Sequence, residues 1–471
     1  MIPPAPDARL PDGFAVRLDP RARRRDGGAT LLGGSPLRLL RLSSRAQVLL
    51  AGERLVVRDD TTATLAAHLL DAGLAHPDLP AVAGDDVTVV IPVRDRPAGL
   101  ARLLAALVAD PETTDLPVVV VDDGSAEPSV APTARVLRHP TAQGPAAARN
   151  AGLQAAGTPF VAFLDSDCVP RPGWLGRLRA HLVDPRLAMV APRVVALPAG
   201  RRSWVTPYED ALSALDMGPV PAPVRPMSAV SYVPSVALLA RRAALGAGFD
   251  EQLRVAEDVD LVWRLVGAGW RVRYEPQAQV CHEHPAATGE WLRRRAFYGT
   301  GAALLADRHG AAVAPLVLAP DSALAWGLVV LGRGWFRTAA LGALAVSSAR
   351  LARRLARPGE TLPVTFAAGL VLHGTAASGR ALARTVTRSH WPLALAAALV
   401  SRRARRWTVA AAVADAGLAW WPHRSRVGPI RLTGARRLED LAYGAGLWSG
   451  AFRARSPRAL LPARPPRMTG R

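Results

Sequence analysis

Between residues 87 and 300, short apolar runs rich in β-branched residues alternate with longer mixed stretches. Val87–Pro92 reads VTVVIP, Val118–Val121 reads VVVV and Phe160–Leu164 reads FVAFL. Runs of this length, separated by helical stretches such as Ala98–Ala109, predict buried parallel strands of an α/β sheet. Ligands of such sheets bind beyond the carboxyl ends of the strands. The acidic and Gly-rich segments of this chain fall at those ends. Residues 1–80 are patterned differently, with strand-like pieces at Ala46–Leu50 and Arg54–Arg58 and a helix-like stretch at Thr61–Ala72. Ala75–Asp86 (AHPDLPAVAGDD) reads as a linker.

Residues 301–471 alternate apolar stretches with Arg clusters: Arg350/Arg353/Arg354/Arg357, Arg380/Arg384/Arg388 and Arg402/Arg403/Arg405/Arg406. Thr361–Gly379 carries no formal charge and is borderline in length for a membrane span, while Thr338–Ala349 is too short to cross. Spanning helices would place Arg mainly on one side. Arg in every connection favours helices lying at a membrane interface. The alternative is a soluble helical domain of Ala and Leu.

The chain has 471 residues, a net charge of +21 and 50% hydrophobic residues. That is enough apolar material for several cores. All 59 basic residues are Arg, because the sequence contains no Lys, and Asn150 is its single Asn. Composition bias therefore accounts for part of the charge. No recognition motif accompanies it, so nucleic acid is not an expected partner. Two cysteines make no disulfide framework. The opening MIPPAPDARLPDGF has no apolar signal-peptide core, which predicts a catalytic part on the cytoplasmic side of the cell membrane.

Five segments carry candidate chemistry. In VVVVDDGS (Val118–Ser125) a buried strand ends in Asp122 and Asp123, and a carboxylate there can accept a hydrogen bond from a base edge. Capping acids in a plain turn are the alternative. In FLDSDC (Phe163–Cys168), Asp165 and Asp167 can approach one hard cation such as Mg²⁺ or Mn²⁺ past the strand end. QGPAAARNAG (Gln143–Gly152) runs from a Gly/Pro loop into a helix and offers Arg149 to a phosphate or nucleoside. FDEQLRVAEDVDLVWRL (Phe249–Leu265) places Glu257, Asp258 and Asp260 at a helix start, where the dipole favours acids and one can serve as a general base. VCHEHP (Val280–Pro285) follows a strand at Trp270–Tyr274 and a turn at Glu275-Pro276, and its His282 can complete a metal shell. Cys168 and Cys281 flank these positions and read as small core residues.

Taken in order, these motifs resemble the family-2 glycosyltransferases of GT-A fold over about residues 87–300, with the GFDE of Gly248–Glu251 falling in place between them. The resemblance implies a metal-dependent, inverting transfer of a hexose from a UDP-sugar. It implies that Pro92, Val93 and Asp95 line the uracil pocket, that Asp122 contacts the base and that Asp123 supports the turn. Arg149 would help hold the nucleotide. Asp165 and Asp167 would hold ribose and metal, with His282 on the metal and diphosphate side. Asp258 would be the base, with Glu257 orienting nearby. Val93-Arg94 stands where the family often has Thr and an aromatic residue.

Residues 1–80 resemble a small winged-helix, leader-peptide-binding module of the PqqD type. Joined to a GT-A core (87–300) and an Arg-rich helical region (301–471), that layout resembles the mycofactocin-system glycosyltransferases of actinobacteria. Those enzymes act on a peptide-derived redox cofactor with glucose as the sugar. Two other readings stay open. One is a membrane enzyme acting on a polyprenyl phosphate or cell-envelope polysaccharide, although no QxxRW motif is present. The other is a catalytically inactive scaffold.

Overall fold

The computed structural model describes residues 3–5, 8–198, 203–285, 287–332, 334–356 and 362–465. Met1, Ile2, Pro6, Asp7, Arg357 and Thr361, on which parts of the sequence reading rested, lie outside the described residues. The chain forms two compact units, Met1–Arg202 with Leu212–His284, and Ser203–Ala211 with Pro285–Arg471.

In the first unit the chain opens with β1 (Ala15–Leu18), β2 (Arg23–Arg25), β3 (Thr30–Gly33), β4 (Arg38–Arg41), α1 (Ser44–Leu49), β5 (Arg54–Val56), α2 (Asp60–Ala72) and β6 (Ala75–Pro77). Two three-stranded sheets result, ordered β5-β1-β6 and β2-β3-β4. Asp59 caps α2 by accepting the Thr62 N–H, which satisfies an orphan donor of the first turn. Two expectations are corrected here. Ala46–Leu50 is largely helix α1, capped by Ser43, because the apolar run is too short to reveal its period. Ala75–Asp86 begins with a paired strand, β6 beside β1, before it becomes a connector.

Asp71, near the end of α2, ties this module to the larger sheet. Arg271 donates to both of its carboxylate oxygens at 2.9 and 3.0 Å, and Arg225 donates to its backbone carbonyl. Behind this pair, Arg273 donates to His76 Nδ1, so His76 carries its proton on Nε2 and donates it to Asp19. Burial lowers the His76 pKa and keeps the ring neutral, as that arrangement requires.

The main sheet is built from β7 (Val87–Val93), β8 (Val118–Asp122), β9 (Arg135–Arg138), β10 (Phe160–Leu164), β11 (Cys168–Pro170), β12 (Leu187–Ala196), β13 (Ala222–Pro223), β14 (Ala237–Arg241) and β15 (Arg271–His282). Helices α3 (Pro97–Ala109), α4 (Pro145–Ala155), α5 (Trp174–His181), α7 (Arg242–Leu245) and α8 (Glu257–Gly267) interleave with them, while α6 (Thr206–Leu212) belongs mainly to the second unit. The order is β11-β15-β12-β14-β10-β7-β8-β9, with β13 on β15. The β10, β7, β8 and β9 ladder is parallel, as the apolar runs predict, and β14 enters antiparallel between β10 and β12. Leu100, Leu103, Leu104 and Leu107 line one face of α3 and pack with Val87, Val89 and Ile91 in the core.

The turn expected at Glu275-Pro276 is absent. β15 runs through it, and the register against β12 shifts there, pairing Pro192 with Glu275 and then Arg193 with Gln279. Proline sits in a strand at such an irregularity without costing a ladder hydrogen bond.

The second unit is helical: α9 (Thr288–His309), α10 (Pro320–Leu331), α11 (Trp335–Leu355), α12 (Val364–Arg388), α13 (Trp391–Val400), α14 (Arg402–Trp420) and α15 (Pro429–Arg453). Part of its Arg excess is interior. Arg384 and Arg388 pair with Asp440 at 2.7 and 3.3 Å, Arg388 and Arg295 flank Glu439, and Arg436 forks onto Asp415. No helix among the described residues is long and apolar enough to cross a membrane.

Candidate active site

Parallel pairing of β7 and β8 sets Pro92 beside Val121 and Val93 beside Asp122, so both strands end together. The chain leaves β7 through Asp95, whose φ of 52° lies in the left-handed region that Asp tolerates better than most residues. Asp95 Oδ1 accepts the Ala126 N–H, and its own N–H donates to Ser125 Oγ. Pro92, Val93 and Asp95 therefore converge on the turn after β8.

Asp122 and Asp123 divide the work of holding the loops around them. Asp122 accepts from the Ser125 and Ser129 N–H groups at 2.8 Å and from Arg138 at 3.1 Å. Burial pushes its pKa up, but these donors outweigh burial and leave it below the ordinary value. With both oxygens engaged and 0% of the residue exposed, Asp122 lies behind the turn rather than on an open surface. Asp123 accepts from Gln143 N, Gly144 N and the His139 ring, all at 2.8 Å, and so fixes the loop that enters α4. Gly124, the next residue, has φ 71°, and a Cβ there would sit 2.6 Å from Ala142 N, so only glycine lets the two loops approach.

Arg149 joins three of the sequence motifs. It is 3% exposed, donates from Nη2 to Asp165 Oδ1 at 2.6 Å and from Nη1 to Glu257 Oε1 at 3.1 Å, and lies over the Phe249 ring. Next to it, Asn150 accepts the Phe249 N–H through Oδ1 and donates through Nδ2 to the Phe249 carbonyl and to Glu251. The amide thus stands in for a strand partner and docks the GFDE segment on α4. Gly248 makes room for it, since a Cβ there would lie 2.2 Å from Asn150 Oδ1.

Helix α8 starts from Ala256, whose φ of 66° is strained for a residue with a Cβ. Glu257 follows, 8% exposed, and its pKa is pushed up to about 7 by burial and by the neighbouring Asp258, against the pull of Arg149. Asp258 is partly buried and accepts from Ser235 N at 3.2 Å and Val259 N at 2.8 Å. Burial raises its pKa despite those N–H groups and Arg149.

On the other side of the Asp165 turn, β11 pairs with β15 so that Cys168 faces His282. This register brings His282 Nε2 to 3.4 Å from Asp167 Oδ1. Arg96 donates to the other Asp167 oxygen at 2.9 Å. Cys168 and Cys281 are both buried thiols beside this pair, as small core residues should be.

Among the described residues no three His, Cys, Asp or Glu side chains gather at ligand spacing, and Asp165 is turned toward Arg149 rather than toward Asp167 and His282. A carboxylate–imidazole pair still fits a hard cation of the Mg²⁺ or Mn²⁺ type, which takes one or two protein carboxylates and fills its shell with phosphate oxygens and water.

The sequence reading missed Arg96, Arg138, His139 and Ser235. Arg96 lies four residues past the apolar run Val87–Pro92, whereas Arg138 ends and His139 follows β9, a strand that no apolar run marked. Nothing in their spacing tied these side chains to the carboxylates they meet. Ser235 acts through its backbone and left no sequence signal.

The chain belongs to the family-2 glycosyltransferases. The Glycosyl transferase family 2 pattern matches residues 88–244. The pre-mycofactocin glycosyltransferase of Mycobacterium tuberculosis is 47% identical, an alignment that covers 96% of this chain and 98% of that protein. The succinoglycan biosynthesis protein ExoU of Rhizobium meliloti is 31% identical over 41% of this chain and 60% of its own length. Among solved structures, the mannosyltransferase PcManGT of Pyrobaculum calidifontis, in complex with GDP-Man and Mn²⁺, shares 20% identity over 73% of this chain and 91% of that chain, with a TM-score of 0.37.

Proposed function

We propose that this glycosyltransferase moves glucose from UDP-glucose to a peptide-derived redox cofactor precursor, with inversion at the anomeric carbon. The observation that carries the reading is the single guanidinium of Arg149, which locks Asp165 of one motif to Glu257 of another. That contact sets an acidic helix start against the strand end suited to a sugar nucleotide. The acceptor class rests on the full-length similarity to the pre-mycofactocin enzyme.

In this reading Pro92, Val93 and Asp95 shape the uracil pocket, and Asp122 acts on it through the turn it holds. Asp165 and Arg149 face the ribose side. Asp167 and His282 are the side chains that would hold a divalent metal, which when bound supplies positive charge beside the leaving diphosphate. Arg96 adds a second positive charge at the same carboxylate. Asp258, fixed by two backbone N–H groups, takes the proton of the acceptor hydroxyl as its oxygen bonds to the anomeric carbon and the bond to UDP breaks. Glu257 and Arg149 hold the local charge balance in which Asp258 works.

A groove of about 560 Å³ bounded by Leu40, Leu42, Ala46, Leu49, Leu65 and His68 in the N-terminal module supports placing a precursor-peptide leader there. Loss of labelled-leader binding on Leu65→Asp is the expected result.

The test is UDP release from a panel of UDP-sugars with Mn²⁺, with Mg²⁺ and with EDTA. Release from UDP-glucose that EDTA stops, and that Asp167→Ala lacks, is expected. Equal release in EDTA removes the metal from the reading. No release and no UDP binding with any donor overturns it.

A further inference from the structure

Helix α13 has the sequence WPLALAAALV, with no polar side chain except the indole N–H of Trp391 and no fully buried residue. Leu399 is 74% exposed and Val400 88% exposed, and Leu393 and Leu395 are also exposed. An amphipathic helix of a water-soluble bundle turns a polar stripe outward. This one has none to turn. Nearby, α10 ends in GLVVL, with Arg403 of α14 donating to the carbonyls of Val330 and Gly332, so the end of a second apolar helix is fastened beside the start of α14. Exposed apolar surface of the kind α13 carries marks an interaction site.

Charge decides what covers it. Ser401 caps the first turn of α14, and Arg402, Arg405 and Arg406 follow at once, exposed and without a carboxylate partner among the described residues. A second copy of the chain on the same face would set these cations against one another, which costs free energy. An anionic lipid surface pairs with them instead while the acyl region takes the leucines. Length decides how deep the helix goes. At 1.5 Å per residue its 10 residues span about 15 Å, half of a hydrocarbon core of about 30 Å.

We propose that α13 lies in one leaflet of an anionic bilayer as a peripheral anchor, with Arg402, Arg405 and Arg406 at the phosphate level and no crossing of the membrane. Arg384 and Arg388, paired with acids inside the unit, take no part.

The experiment is co-sedimentation of the full chain with vesicles of phosphatidylcholine alone and of phosphatidylcholine mixed with phosphatidylglycerol. The protein is expected to pellet with the anionic vesicles and to be released by high salt only in part, because the apolar contact does not screen. Combined Arg402→Gln, Arg405→Gln and Arg406→Gln is expected to weaken binding on the order of 100-fold. Leu399→Glu with Val400→Glu is expected to abolish it, with circular dichroism and UDP release unchanged, since both positions are already in solvent. A wild-type chain that stays in the supernatant with both vesicle types overturns the proposal. So does a wild-type dimer that the Leu399→Glu, Val400→Glu variant returns to monomer, because the face is then a contact between copies.

Discussion

Arg149 holds Asp165 at 2.6 Å and does so from inside the protein, with 4% of its side chain exposed. Its second nitrogen reaches Glu257, so one buried cation balances two carboxylates from segments that are 92 positions apart in the sequence, Asp165 and Glu257.

Removing that cation leaves both acids without their partner. Arg149→Met is expected to destabilise the first unit by about 3–5 kcal/mol, the range for breaking a buried ion pair from one side. Arg149→Lys keeps the charge but cannot fork, and should fall between. Urea unfolding followed by tryptophan fluorescence checks the order.

Asp258 is fixed by backbone N–H groups of Ser235 and Val259, which Asn can keep through its own carbonyl oxygen in part. Asp258→Asn should therefore still bind UDP-sugar while transfer to acceptor falls by about 10²–10⁴-fold, the usual contribution of a positioned base. Turnover near the wild-type rate would remove Asp258 from that role.

Glu257 predicts a dependence of stability on pH. Its folded pKa of about 7 lies above the ordinary 4.5, so the folded state holds this proton more tightly than the unfolded one. The stabilisation is complete below the ordinary value and is lost as pH rises through about 7. Glu257→Gln should melt higher than wild type at pH 8, with the gap closing by pH 5. Thermal scans at the two pH values read this directly, and a gap of the opposite sign would show that the Arg149 contact outweighs burial.

Gly248→Ala would drive a Cβ to 2.2 Å from Asn150 Oδ1 on a backbone with φ 78°. A left-handed residue alone costs about 1–2 kcal/mol, and the clash adds to it. Asn150→Ala removes the atom that is struck. The double variant should then be less destabilised than the sum of the single ones, and a double-mutant cycle measures the difference.

The sheet was legible because its strands are buried on both faces, and Val87–Val93, Val118–Asp122 and Phe160–Leu164 stand almost where their apolar runs place them. Periodicity was silent where a run is short, as in Ala46–Leu50, and local turn chemistry misled at Pro276, where the long pairing of β15 with β12 overrides it. The acidic motifs fall at the strand ends and the helix start that Arg149 ties together. What each acid does there depends on partners far along the chain, such as Arg138 for Asp122 and Arg96 for Asp167, and spacing says nothing about those. The scattered Arg of residues 301–471 looked alike in sequence, yet Arg384 and Arg388 face buried acids while Arg402, Arg405 and Arg406 face solvent.

The amide of Asn150 has a further meaning in a protein that contains no lysine and no other asparagine. Lysine and asparagine share adenine-rich codons, so a GC-rich genome erodes both by mutational drift. At Asn150 that drift meets a peptide edge that demands one donor and one acceptor at fixed positions. Asp offers only acceptors, Ser is too short and Gln is a methylene too long. In a chain that does without this side chain everywhere else, the one amide stands where no shorter, longer or charged side chain makes the same pair of bonds.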